Sequence, residues 1–143
     1  MRLVTHQIDV AAPPEVLYEA FTDPDQLAAW LDATAEADPR PGGSLRWTHE
    51  NGSTVAGTFV ELVPHRRVVF TYGWEDGSFG VAPGSTRVEV DLEPTADGTR
   101  LTHVHHGLEG EAADRHQQGW GHFLARLQAR VDGGDPTAVP PLR

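Results

Sequence analysis

The spacing of hydrophobic positions along the chain changes period three times, and each change marks a new kind of element. Residues 2–10, RLVTHQIDV, alternate loosely and carry β-branched side chains, which predicts a first strand. The rhythm then becomes helical: in APPEVLYEAFTDPDQLAAWL, Val16, Leu17, Ala20 and Phe21 form one stripe. Pro13 and Pro14 suit the start of that helix, and Pro24 ends it. Asp23 is placed to cap a second short helix over 24–30. Residues 32–41 carry no period and are expected to form a loop.

Period two governs the middle of the chain. Residues 44–50 and 53–63 flank Asn51-Gly52, a two-residue hairpin signal. Pro64-His65-Arg66 makes the next turn, and 67–74 is rich in β-branched and aromatic residues. In STRVEVDLEP, Val88, Val90 and Leu92 fall on one face and Arg87, Glu89, Asp91 and Glu93 on the other, the mark of a sheet with one wet face. TADGT turns the chain, and RLTHVHHGL pairs back as the last strand. The helical period then returns over 109–131, where His116, Trp120, Phe123, Leu124, Leu127 and Val131 share a stripe. Gly133-Gly134 ends it. The expected order is one strand, two short helices, five strands and a long helix, in one domain over 1–134, with a loose tail at 135–143.

Four stretches make a family resemblance specific: APPEVLYEAFTDPDQLAAWL, GTFVELVPHRRVVFTYGW, TRVEVDLEPTADGTRLTHVHHGL and RHQQGWGHFLARL. They resemble the bacterial relatives of the heat-shock protein ATPase activator's C-terminal domain, within the SRPBCC superfamily of START-like, Bet v 1-like (helix-grip) proteins. The resemblance covers residues 3–132. It implies an α+β fold in which a curved antiparallel sheet of about six strands wraps a long C-terminal helix. It implies no single activity, because the superfamily hosts lipid carriers, polyketide cyclases, antibiotic-sequestering proteins and co-chaperones. His105 sits at the family's common histidine, and His103 where a leucine is more usual. His116 and Gly119-Trp120 match the family's pattern in the last helix, and none of these positions brings a catalytic role with it.

Composition narrows the field. The chain has no cysteine, which excludes disulfides, thiol catalysis and cysteine-ligated zinc and suits a cytoplasmic protein. A formal charge of −10, with arginine as the only strong base, opposes a general affinity for nucleic acid or anionic membrane. No apolar run is long enough to cross a bilayer, and the start lacks the pattern of a secretion signal. There is no Ser/His/Asp order, phosphate loop or pair of carboxylates that would name a reaction, so no catalytic residue is assigned and enzyme activity stays open.

The chemistry that remains is imidazole and indole. In LTHVHHGL, His103 and His105 leave the same face of a strand as Leu101, and His106 leaves the other. With His116 from the helix they could form a metal site, a proton-transfer site or the polar anchors of a pocket. No carboxylate is placed to orient ligating imidazoles, so neither a metal nor another cofactor is assigned. The expectation is a groove between sheet and helix lined by Trp30, Phe59, Phe70, Tyr72, Trp74, His103, His105, His116 and Trp120, taking a small hydrophobic or aromatic molecule. Trp30 is a candidate gate to that groove, and the long loop WEDGSFGVAPGS, with Phe79, a candidate lid. Of the aromatics Trp47, Phe59, Phe70, Tyr72, Trp74, Phe79, Trp120 and Phe123, most are expected in the core and the rest along the cavity. A heat-shock chaperone is the alternative partner, and the chain is expected as a monomer or homodimer.

Overall fold

Two prolines and an aspartate set the first turns. Pro14 opens α1 (Pro14–Thr22), where its missing N–H is one the helix end would leave unpaired anyway. Asp23 closes α1 and caps α2 (Pro24–Leu31), its carboxylate accepting the Gln26 N–H at 3.2 Å. The structure, a computed structural model, describes residues 2–134 and Val139, so the tail expected at 135–143 lies, save Val139, outside the described residues.

Asp32 ends α2 in the left-handed region, at φ 53, and delivers the chain straight into a strand, β2 (Ala33–Ala37). The expected loop at 32–41 is therefore partly sheet, and the sheet has seven strands where about six were expected. ATAEA hides its period because small and polar residues alternate there without one large apolar side chain. It pairs with Leu45–His49 across one edge, and Ala33, Ala35 and Ala37 pack against the core.

The strands run β1 (Arg2–Val10), β7 (Gly98–Leu108), β6 (Thr86–Thr95), β5 (Arg67–Trp74), β4 (Thr54–Val63), β3 (Ser44–His49) and β2 across one antiparallel sheet. Val88, Val90 and Leu92 face inward from β6, with Leu101, His103 and His105 beside them on β7, as the alternation requires. The outer face is charged: Arg67 bonds Glu61, Glu89 and Asp91 at once. The β3–β4 hairpin differs from the two-residue turn expected. The His49 N–H bonds the Ser53 carbonyl, leaving a three-residue loop with Gly52 in the left-handed conformation at φ 88. Glycine fits this bulge position because a Cβ there is strained.

The concave face is covered by α3 (Gly110–Val131), about 33 Å long. Its C-terminal half meets α2: Arg126 Nε donates to the Trp30 carbonyl at 3.0 Å. Here α1 and α2 supply Leu17, Phe21, Leu27, Trp30 and Leu31 to a closed core. Among the described residues no second α-helix covers the strands beneath the N-terminal half of α3, where the short 3-10 turn Ser78–Gly80 comes close. Among the described residues, no helix is long and apolar enough to cross a membrane.

Candidate functional site

The uncovered half of the interior is a cleft of about 290 Å³. Its walls are aromatic: Trp47 and His49 from β3, Tyr72 and Trp74 from β5, and His116, Trp120 and Phe123 from α3. Leu31 closes one end, and Asn51, Ser53, Ser78, Arg115 and Gln118 supply polar groups. Strand alternation puts Trp47 and His49 on one face, and Tyr72 and Trp74 likewise. Helical spacing lays His116, Gly119, Trp120 and Phe123 over them. Gly119 borders open space in the cleft, since a Cβ there would meet no heavy atom within 4 Å.

The segment after β5 forms one lip of the cleft. The Trp74 N–H bonds the Val81 carbonyl at 2.7 Å, which folds residues 75–80 into a short arch. Gly73 permits this crossing, because a Cβ there would sit 1.9 Å from the Ala82 carbonyl oxygen. Phe79, at φ 60 and about half exposed, tips from the arch onto Trp74 and His116, with ring centres 5.9 and 5.4 Å away.

Two tryptophan–histidine pairs stand behind the aromatic wall. The Trp120 indole N–H donates to His105 Nδ1 at 3.0 Å, so that nitrogen carries a lone pair and the proton sits on Nε2. His105 Nε2 then donates to the Thr86 hydroxyl at 2.9 Å, and Thr86 donates to the Tyr72 carbonyl at 2.7 Å. In the second pair the Trp74 indole donates to His116 Nε2 at 3.1 Å, which puts the proton on Nδ1, facing the Ala112 carbonyl at 2.7 Å. The two imidazoles therefore hold opposite tautomers, with their rings 5.5 Å apart.

Both histidines are held neutral. Burial, and then His116 and His103 nearby, push His105 down to about 2. Burial likewise lowers His116. Every ring nitrogen of the pair has a partner, so a metal or a reacting proton could engage either residue only after a hydrogen bond broke. Among the described residues, no group of three or more His, Asp or Glu side chains is arranged to hold a metal ion.

His103 has a different environment. It is fully buried, its ring centre lies 4.2 Å from that of Trp120 with the rings tilted by 51°, and neither of its nitrogens has a hydrogen-bond partner. Burial, with His6 beside it, pushes it down to about 3. His6 reaches the Gln117 carbonyl through Nε2 at 3.0 Å, but its Nδ1 is also sealed and unpartnered.

Of the nine residues expected at the groove, the structure brings Tyr72, Trp74, His116 and Trp120 to the cleft surface. His105 stands one layer behind, joined to Trp120. His103, Phe59 and Phe70 lie deeper in the core, outside the lining. Trp30 is no gate: it is 1% exposed, packs against Phe21 and donates its indole N–H to the Ala20 carbonyl at 2.8 Å. Trp47, His49 and Phe123 also line the cleft and were not among the nine. The signal for all three was present. Trp47 and His49 share the face of Leu45, and Phe123 lies one turn beyond Gly119.

Comparison with known proteins agrees with this architecture. The family model described as "Activator of Hsp90 ATPase homolog 1-like protein" matches residues 11–132. The human "Activator of 90 kDa heat shock protein ATPase homolog 1" is 28% identical over 110 residues, 75% of this chain and 30% of that protein. The chain spans between 20% and 30% of the length of the curated relatives it matches. Protein MLL2253 from Mesorhizobium loti superposes with a TM-score of 0.83 at 23% identity, covering 94% of this chain and 99% of that one, which shows the fold. DynU16, from the dynemicin biosynthetic locus, superposes with a TM-score of 0.80 at 27% identity, covering 94% of this chain and 49% of the other.

Proposed function

The chain belongs to the family of activator of Hsp90 ATPase homolog 1-like proteins, and from that premise we propose that it binds a small hydrophobic or aromatic molecule in its cleft without covalent chemistry. The observation that carries this reading is the aromatic cleft itself: about 290 Å³ between sheet and helix, walled by Trp47, Tyr72, Trp74, Trp120 and Phe123. Mostly apolar concave sites with a few polar groups suit such ligands. An acid–base enzyme is the weaker reading, because His105 and His116 are neutral and have both nitrogens engaged. The lack of cysteine suits a reducing, cytoplasmic setting.

Native mass spectrometry of the purified chain tests the proposal. An adduct of a few hundred daltons, lost on denaturation, is the expected result. A bare chain that takes up no compound from a hydrophobic panel would count against it.

A second reading follows from the family and from the human relative: the domain acts on a heat-shock chaperone. Since the chain spans 30% of that relative, the proposal concerns what one domain contributes. Stimulation of the cognate chaperone's ATPase, absent with an unrelated helix-grip protein, is the expected sign. No stimulation at saturating chain removes this reading.

A further inference from the structure

If the cleft binds a small molecule, its unpaired donors say which kind. Three of the four tryptophans have their indole N–H tied within the fold: Trp30 to Ala20, Trp74 to His116 and Trp120 to His105. Trp47 is the exception. It is 3% exposed and lines the cleft, yet no described residue accepts its N–H. Tyr72 matches it at 4% exposed, with a hydroxyl that no described residue bonds. The sealed, partnerless side-chain atoms among the described residues belong to His6 and His103. The Trp47 N–H and Tyr72 hydroxyl therefore still reach solvent, and the cleft is where these two side chains meet it.

The two rings are neighbours, with centres 5.9 Å apart. Burial raises the Tyr72 phenol far above its ordinary value, so it stays protonated and can donate. Charge points the same way. The chain has 21 acidic residues, and none among those described lines the cleft, whereas Arg115 does. A cation entering here would find no carboxylate among the described lining residues, and Asp32 acts electrostatically on His49 from outside that lining. An oxygen acceptor would find two donors inside, and at the lining the Arg115 guanidinium, whose Nη2 already bonds Glu111 at 3.3 Å.

We infer that Trp47 and Tyr72 form a donor subsite that selects flat aromatic molecules carrying a carbonyl or carboxylate oxygen over unsubstituted or cationic ones. The aromatic walls hold the ring system by face and edge contacts, and the subsite sets its orientation. A ligand without the oxygen leaves both donors desolvated and unpaired, which is the source of the discrimination.

The inference rests on the binding reading, and one titration separates the two. Naphthalene, 2-acetylnaphthalene, 2-naphthoate and a naphthyl trimethylammonium are titrated into the full chain by calorimetry and tryptophan fluorescence. The two oxygen-bearing probes should bind on the order of tenfold more tightly than naphthalene. Tyr72→Phe keeps the ring and should bring them within about twofold of it. Trp47→Phe, with its fold checked by circular dichroism, should weaken the same two probes. Equal affinity for all four probes, an unchanged preference in Tyr72→Phe, or tightest binding of the cation overturns the subsite and leaves the binding reading standing. A folded chain that binds none of them overturns both.

Discussion

The two halves of α3 cross the same sheet and meet opposite fates. Under the C-terminal half, α1 and α2 fill the interior with Leu17, Phe21, Leu27, Trp30 and Leu31, and the tryptophan N–H ends on a backbone carbonyl. Under the N-terminal half no second α-helix arrives among the described residues, and the sheet offers Trp47, Tyr72 and Trp74 to an open cleft. The same residue type thus serves as filler in one half and as wall in the other. What decides the role is whether another element covers it. Aromatic content does not reveal that; the placement of α1 and α2 does.

The largest test of the contrast is truncation on each side. Trp30→Ala should cost about 3–5 kcal/mol, since it opens a cavity in sealed packing and removes the bond to Ala20. Phe79→Ala, at a half-exposed residue on the cleft lip, should cost less than about 1 kcal/mol. Urea unfolding of the two variants measures both. Equal losses would mean that the cleft wall is core and that the two halves do not differ.

The second test concerns the boundary between the halves, where His103 is sealed without partners. Its folded pKa, about 3, lies below the 6.5 of an unfolded imidazole. The unfolded chain therefore binds more protons, and stability falls as pH drops below about 6.5 and keeps falling toward about 3. Each such histidine contributes a slope of up to about 1.4 kcal/mol per pH unit, and His105 adds to it. His103→Leu should raise stability near neutrality by about 1–3 kcal/mol, because it removes two unpaired buried nitrogens. It should also flatten the loss between about pH 6 and pH 4 by one histidine's share. Thermal melts across that range check both effects, and an unchanged slope would place the sensitivity elsewhere.

The fold was largely legible because periodicity records burial directly. Val88, Val90 and Leu92 on β6, and Leu101, His103 and His105 on β7, point where their alternation says. The edge strand β2 was not legible, since ATAEA is paired on one side and offers no large apolar residue. The site was legible by face and not by depth. Tyr72 and Phe70 share a strand face, and one lines the cleft while the other lies outside the lining. That difference depends on which half of α3 lies above, a contact between distant parts of the chain. The tryptophan–histidine pairs were also out of reach, because register brings His105 under Trp120 and spacing alone does not state the bond.

The smallest test adds volume where truncation removed it. At Gly119 a new Cβ meets nothing within 4 Å, and alanine is the better helix former. Gly119→Ala should therefore stabilise the chain by about 0.5–1 kcal/mol. Ala20, buried on α1 in the filled half, is the counterpart. There Ala20→Leu should destabilise by about 1–3 kcal/mol, because close-packed neighbours must move. Gly119→Leu extends the logic, since its side chain projects into the cleft. It should weaken any ligand of the cleft far more than it alters the melting temperature. If Gly119→Leu unfolds the protein as Ala20→Leu does, the space beneath the N-terminal half is not free volume, and the cleft loses its standing as a site.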